Sequence, residues 1–406
     1  MADPFDPKSA IPGATRRTAL GILLGAPLLS ACSGIQQALT NNYGTNNPGE
    51  PPPAGPAGPA QQSQVIGTGG IKVGLILPQA APGNAGIAAQ SMKNAAEMAY
   101  TEFQNPNIQL LVKDDAGSAA GAQQAAQQVL SEGAEIILGP LFAVSVPAVA
   151  QLARARNIPV IAFSTDSSVA GRGVYLLSFL PESDVNRIVD YAYSTGKRSF
   201  AAMLPENAYG NVVEVAFKQA VARKGARMIA FERYGADRSA AARNMASQLT
   251  GADALLLADD GDAVVATADA LTTAGANLRN VQLLGTGLWD NPRVFGSASM
   301  LGGLYAAPDP AGFRAFSGRY RAKYGNDPVR TATLSYDAVA LVAALARTQG
   351  GQRFAPEVLT NQSGFAGIDG LFRFRNDGGN DRGLAVMKVA SGGGQPVAGS
   401  PKSFGT

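Results

Sequence analysis

The sequence predicts an α/β protein of two doubly wound parallel-sheet lobes joined by a multi-strand hinge, and three observations predict it. From Ile71 onward, short continuous apolar runs alternate with stretches of helical period, the mark of parallel strands covered by helices on both faces. The 406 residues are too many for one core of ordinary size, so two lobes are expected. After "VYLLSFLPESD" (174–184) the alternation starts afresh, and right-handed crossovers make each half a doubly wound unit.

In chain order, "IKVGLIL" (71–77) is a buried strand. A helix from Gly86 to Phe103 follows, with Ile87, Met92, Ala96, Met98 and Ala99 available to face the sheet. "IQLLVKD" (108–114) is the second strand, followed by the Gln-rich helix "SAAGAQQAAQQVLSEG". "AEIILGP" (134–140) is the third, with a helix from about Val144 to Arg156, and "IPVIAFS" (158–164) is the fourth. The second lobe takes "RSFAAML" (198–204), "ARMIAFERY" (226–234), "ADALLLA" (252–258) and "VQLLGTG" (281–287) as strands. "LGGLYAAP" (301–308) carries the chain back to the first lobe, where helices over 310–324 and 331–348 complete it. The stretch "GLFRFRNDGGNDRGLAVMKVA" reads as a hairpin with a Gly-rich turn. The expected division is residues 70–182 with 308–375 for lobe 1, 183–307 with 376–395 for lobe 2, and a tail over 396–406.

The N-terminus has its own logic. Arg16-Arg17 precedes a short apolar core, "TALGILLGAPLL", and then "SACSG". Positive charge, a brief apolar segment and small residues make a secretory signal over 1–31, too short for a membrane span. Leu29-Ser30-Ala31-Cys32 looks like a bacterial lipobox, in which Cys32 is lipidated and becomes the new N-terminus; it is the only cysteine in the chain. "ATRRTAL" resembles a twin-arginine signal, so Sec and Tat export both stay open. Residues 32–69, rich in Gly, Pro, Asn and Gln, form a disordered tether between lipid and domain. The expected location is the periplasm, anchored in a membrane. Ser33 lacks the acidic character that retains enteric lipoproteins at the inner membrane, which leans toward the outer one in a Gram-negative host.

Composition narrows the chemistry. With no histidine, Ser-His-Asp and Cys-His nucleophilic sites and imidazole zinc sites are closed. A lone cysteine closes thiolate clusters and intrachain disulfides. Charge is nearly balanced at +3, without a basic run for nucleic acid. "LILPQAAPGNAG" has neither the dinucleotide nor the P-loop glycine spacing. Carboxylate pairs, Ser-Lys pairs and oxygen-ligand metals remain possible, but most enzyme routes are closed. Ligands of such sheets sit beyond the carboxyl ends of the strands.

Four segments, "IKVGLILPQAAPGNAG…SMKNAAEMAYTE", "ILGPLFAVSVPAVAQLARARNIPVIAFSTDSS", "PENAYGNVVEVAFKQAV" and "SYDAVALVAALAR", together resemble the leucine/isoleucine/valine-binding-protein family. These are type I periplasmic binding proteins that deliver solutes to ABC importers. The resemblance implies two lobes closing on an amino-acid-like small molecule, with an ABC permease as partner, and a binding protein with no enzymatic activity, no cofactor and no metal. It implies a lobe 1 site of hydroxyls after the third and fourth strands, and a lobe 2 tyrosine and carboxylate. Matched by position, Tyr209 is the tyrosine, and Ser164 and Thr165 keep the fourth-strand hydroxyl character. The third-strand serine position falls at Ala143, after Phe142. The fourth-strand threonine falls at Asp166, and the lobe 2 carboxylate falls near Gly287, with Trp289 and Asp290 beside it. Gln79, after the first strand, completes the candidate ligand-binding set of Gln79, Phe142, Ala143, Ser164, Thr165, Asp166, Tyr209, Trp289 and Asp290. A carboxylate at Asp166 would repel a ligand carboxylate, so the loop either selects a different ligand, a cationic one included, or no longer holds one. "ILGPL" with "SFLPESDVNRI" also resembles the penicillin-binding-protein activators, outer-membrane lipoproteins of the same fold that stimulate a peptidoglycan synthase by contact. That family supplies the alternative function and partner.

Overall fold

A computed structural model describes residues 64–404; the expected signal, lipobox and most of the tether lie outside the described residues. The first sheet is built from β1 (Gln64–Ile66), β2 (Ile71–Leu77), β3 (Ile108–Asp114), β4 (Ile136–Leu138), β5 (Val160–Ala162) and β6 (Val174–Leu176). Its order is β1-β3-β2-β4-β5-β6, parallel throughout except for the antiparallel β1–β3 pair. Successive side chains of β2 go to opposite faces. Val73, Leu75 and Leu77 meet the helices Asn84–Glu102 and Ala332–Thr348, while Ile76 meets Ala119–Ser131 and Val146–Arg154. Both faces are dry, which is why these strands read as unbroken apolar runs.

The second lobe contributes β7 (Ser199–Pro205), β8 (Arg227–Tyr234), β9 (Ala254–Leu257), β10 (Gln282–Gly285) and β11 (Leu304–Ala307). A small antiparallel sheet follows, with β12 (Phe365–Gly367), β13 (Gly370–Phe374) and β14 (Asn380–Arg382); then come β15 (Ala385–Ala390) and β16 (Gly393–Ala398). The second sheet has the order β16-β15-β11-β10-β9-β7-β8. Ala201 and Met203 of β7 face one core, and Phe200, Ala202 and Leu204 face the other. The chain passes between lobes over 177–180, 308–309 and 383–384, and these passages form the hinge.

The structure departs from the sequence expectations in a few places. The tether was expected to run to residue 69, yet β1 pairs with β3, and Gly69 donates to the Ile108 carbonyl at 3.1 Å. Three residues carry no period, so only the pairing gives them a shape. The hairpin turn falls at Asp377–Gly379 as read, but its second strand is only β14; the chain then leaves to pair antiparallel with β11. Residues 396–398, expected in the tail, end β16. Met92, Ala96 and Ala99 meet the sheet as expected, but Met98 is buried against Phe316 and Tyr320 of the helix Pro310–Tyr324, and Ile87, on the same flank of its helix as Met98, is 56% exposed.

Candidate functional site

The loops at the carboxyl ends of the first sheet are held by carboxylates. Asp114 accepts the Ala80 N–H at 3.1 Å and the Ala116 N–H at 2.8 Å, tying the loop after β2, which carries the half-buried Gln79, to the end of β3. Asp115 is fully buried and accepts the Gly117 N–H at 3.0 Å; desolvation pushes its pKa up to about 6. After β4, Ala143 is buried and the half-buried Phe142 leans on Gly117. Ser145, two residues beyond the expected serine position, is buried with its hydroxyl donating to the Ser118 carbonyl at 3.3 Å.

The loop after β5 folds back on itself. Ser164 is fully buried, and its hydroxyl oxygen accepts the Asp166 N–H at 3.1 Å. Asp166 in turn accepts the Ser168 N–H at 2.9 Å and caps the short 3-10 turn Ser167–Val169. The hydroxyl of Thr165, between them, is buried without a hydrogen-bond partner. Of the three expected groups, Thr165 is therefore the one whose hydrogen-bonding capacity is unused, whereas Ser164 and Asp166 build the turn that presents it.

In the second lobe, Asn207 caps the helix Ala208–Arg223 through the Gly210 N–H at 2.8 Å. Tyr209 in its first turn is 5% exposed, with its hydroxyl 2.7 Å from that of the buried Thr286. This bond fastens the loop after β7 to the end of β10. Trp289 was expected to line a cleft, and here the structure corrects the sequence. It is fully buried in the core of the second lobe, where its ring fills the space over Gly285 and Gly303; a Cβ on Gly285 would lie 2.2 Å from it. A strand-end tryptophan in a Gly-rich loop suggests a ligand wall, but the glycines here make room for the indole itself. Asp290 keeps an exposed surface and accepts the Tyr305 hydroxyl at 3.2 Å. Desolvation raises its pKa, opposed by the Tyr305 bond and by the charge of Arg330 across the hinge. Where the lobe 2 carboxylate was expected, the Gly287 N–H donates to Asp184 at 2.9 Å, so a carboxylate reaches that place from the helix Pro181–Ser194.

Sequence reading missed the polar hub at the hinge. Arg330 grips Asp369 with both terminal nitrogens, at 2.8 and 2.5 Å, and Thr333 adds a bond to the same carboxylate at 2.6 Å. All three residues are buried. Phe179 lies between two guanidiniums, with Arg330 at 4.7 Å and Arg382 at 4.6 Å from the ring centre. Arg382 donates from Nε to the Ser178 carbonyl at 2.8 Å, and Asn380 donates to the same oxygen at 2.9 Å. Asp337 lies inside the helix Ala332–Thr348 and accepts the Ile368 N–H at 2.8 Å; a Cβ at Gly367 would lie 2.4 Å from its other oxygen. None of these residues follows a periodic pattern. "SYDAV" reads as helix packing, and Arg382 sits in a turn-like "NDRG".

The hub sets a pH dependence. Burial, with Asp369 nearby, pushes Asp337 up to about 8, and desolvation pushes Asp184 up to about 7, from an ordinary 3.8. An unfolded aspartate releases its proton near 3.8 while these two still hold theirs, so folding takes up protons across that interval. Stability is therefore expected to fall as pH rises from about 4 toward 8. Melting temperatures measured across this range should decline in the wild type, with a flatter profile in Asp337→Asn. An unchanged slope in that variant would show that Asp337 titrates normally.

Comparison with known proteins decides the class. A family model described as periplasmic binding protein matches residues 70–394. The chain belongs to the periplasmic binding protein family. Three crystal structures resemble its type I fold. A putative branched-chain amino acid ABC transporter protein from Rhodospirillum rubrum superposes with a TM-score of 0.71 at 17% identity, over 80% of this chain and 99% of that one. A periplasmic ligand-binding protein of a branched-chain amino acid ABC transporter from Burkholderia xenovorans gives 0.66 at 18%, over 83% and 97%. A solute-binding protein from R. palustris in complex with 4-hydroxybenzoate gives 0.58 at 19%, over 82% and 96%. An uncharacterized protein of Rickettsia prowazekii is 20% identical over 164 residues, 40% of this chain and 43% of that protein. Among the described residues of this periplasmic binding protein, buried polar atoms without a hydrogen-bond partner include Asp115 after β3, Thr165 after β5, and Asp337, Asn380 and Arg382 in the hinge hub.

Proposed function

We propose that this chain is a lipid-anchored solute receptor that captures an amino-acid-like small molecule between its lobes and hands it to an ABC importer. The observation that carries the reading is the family match over 70–394, together with superposition on almost the whole of the resembling receptors. The unpartnered Thr165 hydroxyl in the β5 loop supports it. Gln79, Phe142 and Ala143 from the first lobe, with Asp290 and the Asp184 carboxylate from the second, supply the rest of the wall. Tyr209 acts from behind, by fixing the β10 loop through Thr286.

The test is a thermal-shift panel of amino acids, amides, short peptides and aromatic acids. A true solute at about a hundred times its Kd stabilises the folded state by about 2.7 kcal/mol, so at least one class should raise the melting temperature by several degrees. A panel without effect sinks the reading. Anchoring through Cys32 is tested by labelling cells with palmitate: the wild type takes up label and Cys32→Ala does not, while equal labelling removes the anchor.

The second reading, an activator of a peptidoglycan synthase working by contact, is favoured by one observation. Ser164, Asp166 and Tyr209 are all engaged in internal bonds. Crosslinking in cells should then capture a synthase, with capture unchanged in Thr165→Ala. Absence of any synthase among the crosslinked products counts against it.

A further inference from the structure

Arg382 is 6% exposed, and both of its terminal nitrogens are buried without a hydrogen-bond partner. Such a guanidinium is costly, since it loses the hydration of both terminal nitrogens, and the nearby Asp369 charge compensates without a hydrogen bond to either. Its Nε is already used on the Ser178 carbonyl, and that bond, with Phe179 against the guanidinium face, fixes the plane of the fork. Two residues earlier on β14, the side-chain oxygen of Asn380 is also buried and unpartnered, while its nitrogen shares the Ser178 carbonyl with Arg382. Two donors and one acceptor are thus left open side by side.

The charges around this fork leave it positive. Arg330 is neutralised by Asp369, whose carboxyl is held low chiefly by the Arg330 charge and bonds against the desolvation that would raise it. Asp337 and Asp184, the other carboxyls whose charge acts on Arg382, are raised by burial: Asp337, at about 8, is mostly protonated at neutral pH, and Asp184, at about 7, is about half charged, so they offset Arg382 only in part. Asp337 and Asp369 approach from the first lobe and Asp184 from the second, so Arg382 lies between the lobes.

We propose that Arg382, with Asn380, forms an anion subsite at the hinge that receives the carboxylate of the solute. A planar two-donor fork matches a carboxylate bidentately, and an acceptor beside it suits a neighbouring N–H or O–H of the same molecule. The subsite takes over a task that the β5 loop performs poorly, because Asp166 stands there. This inference rests on the solute-receptor reading and names the substrate class as organic acids and amino acids with a free carboxylate.

The experiment uses the full chain purified in detergent, with sodium acetate and its neutral isostere acetamide as probes at constant ionic strength. Acetate should raise the melting temperature of the wild type saturably and acetamide should not. Arg382→Gln should weaken the apparent acetate affinity at least tenfold, and Arg382→Lys less. An equal acetate response in Arg382→Gln, or none in the wild type, overturns the proposal. Because the Gln variant can lose its fold, wild-type crystals soaked in bromide provide a second readout: anomalous density within bonding distance of Arg382 supports the subsite, and an ordered water alone there overturns it. If neutral or zwitterionic solutes stabilise wild type and Arg382→Gln alike, the receptor stands and the subsite falls. If acetate and bromide both act through Arg382 while no amino acid, amide, peptide or aromatic acid in the panel does, the anion site stands and the reading as an amino-acid-like solute receptor falls.

Discussion

Asp369→Ala is expected to destabilise the folded chain by about 3–5 kcal/mol, because it removes one partner of a buried ion pair and leaves the other charge in place. Arg330 is 7% exposed and donates two bonds to Asp369, and Thr333 donates a third. After the substitution the guanidinium faces Phe179 and Phe313, which cannot accept a full positive charge in exchange for a carboxylate. The urea midpoint should drop sharply. The double variant Arg330→Met/Asp369→Leu should recover most of the loss, since replacing a whole buried pair with apolar groups is often neutral or better. If the double variant is as unstable as the single one, the pair is a geometric keystone of the hinge rather than a balanced charge couple.

Trp289→Ala should cost a comparable amount, about 3–5 kcal/mol, for a different reason. The indole is fully buried among residues of the second-lobe core, including Val294, Met300 and Tyr305, and two glycines are open beneath it. Truncation leaves a cavity that the glycines cannot fill. Trp289→Phe should be far milder, because the indole N–H is buried without a partner and its removal relieves a penalty that offsets part of the lost volume. Differential denaturation of the two variants reads this directly. Equal losses would mean that the N–H has a partner, and no loss in the Ala variant would mean that the ring is not a core element.

The fold was legible because its strands are covered on both faces. β2, β3, β7 and β9 stand out as apolar runs bounded by small residues, and the helices over 310–324 and 332–348 fall almost where their period puts them. What was not legible was pairing without period, as in β1, and the destination of β15, which depends on β11 far earlier in the chain. At the site, the pattern located the loops but not their internal bonds. Ser164 and Asp166 have the composition of a ligand loop and also that of a self-capping turn, and only the backbone path separates these roles. Tyr209 reaches a partner 77 residues away. The hinge hub joins Ser178 to Arg382 across 204 residues, a proximity that no local window contains. Trp289 shows the complementary failure: its glycines advertised an opening, and the opening was already filled by the ring.

A small molecule held in the space between the lobes should be visible in isothermal titration of the purified chain with each solute class. One site per chain is expected for at least one carboxylate-bearing solute, with binding weakened in Thr165→Ala and Arg382→Gln. An absence of binding heat across all classes at several temperatures, with the chain folded, would contradict it.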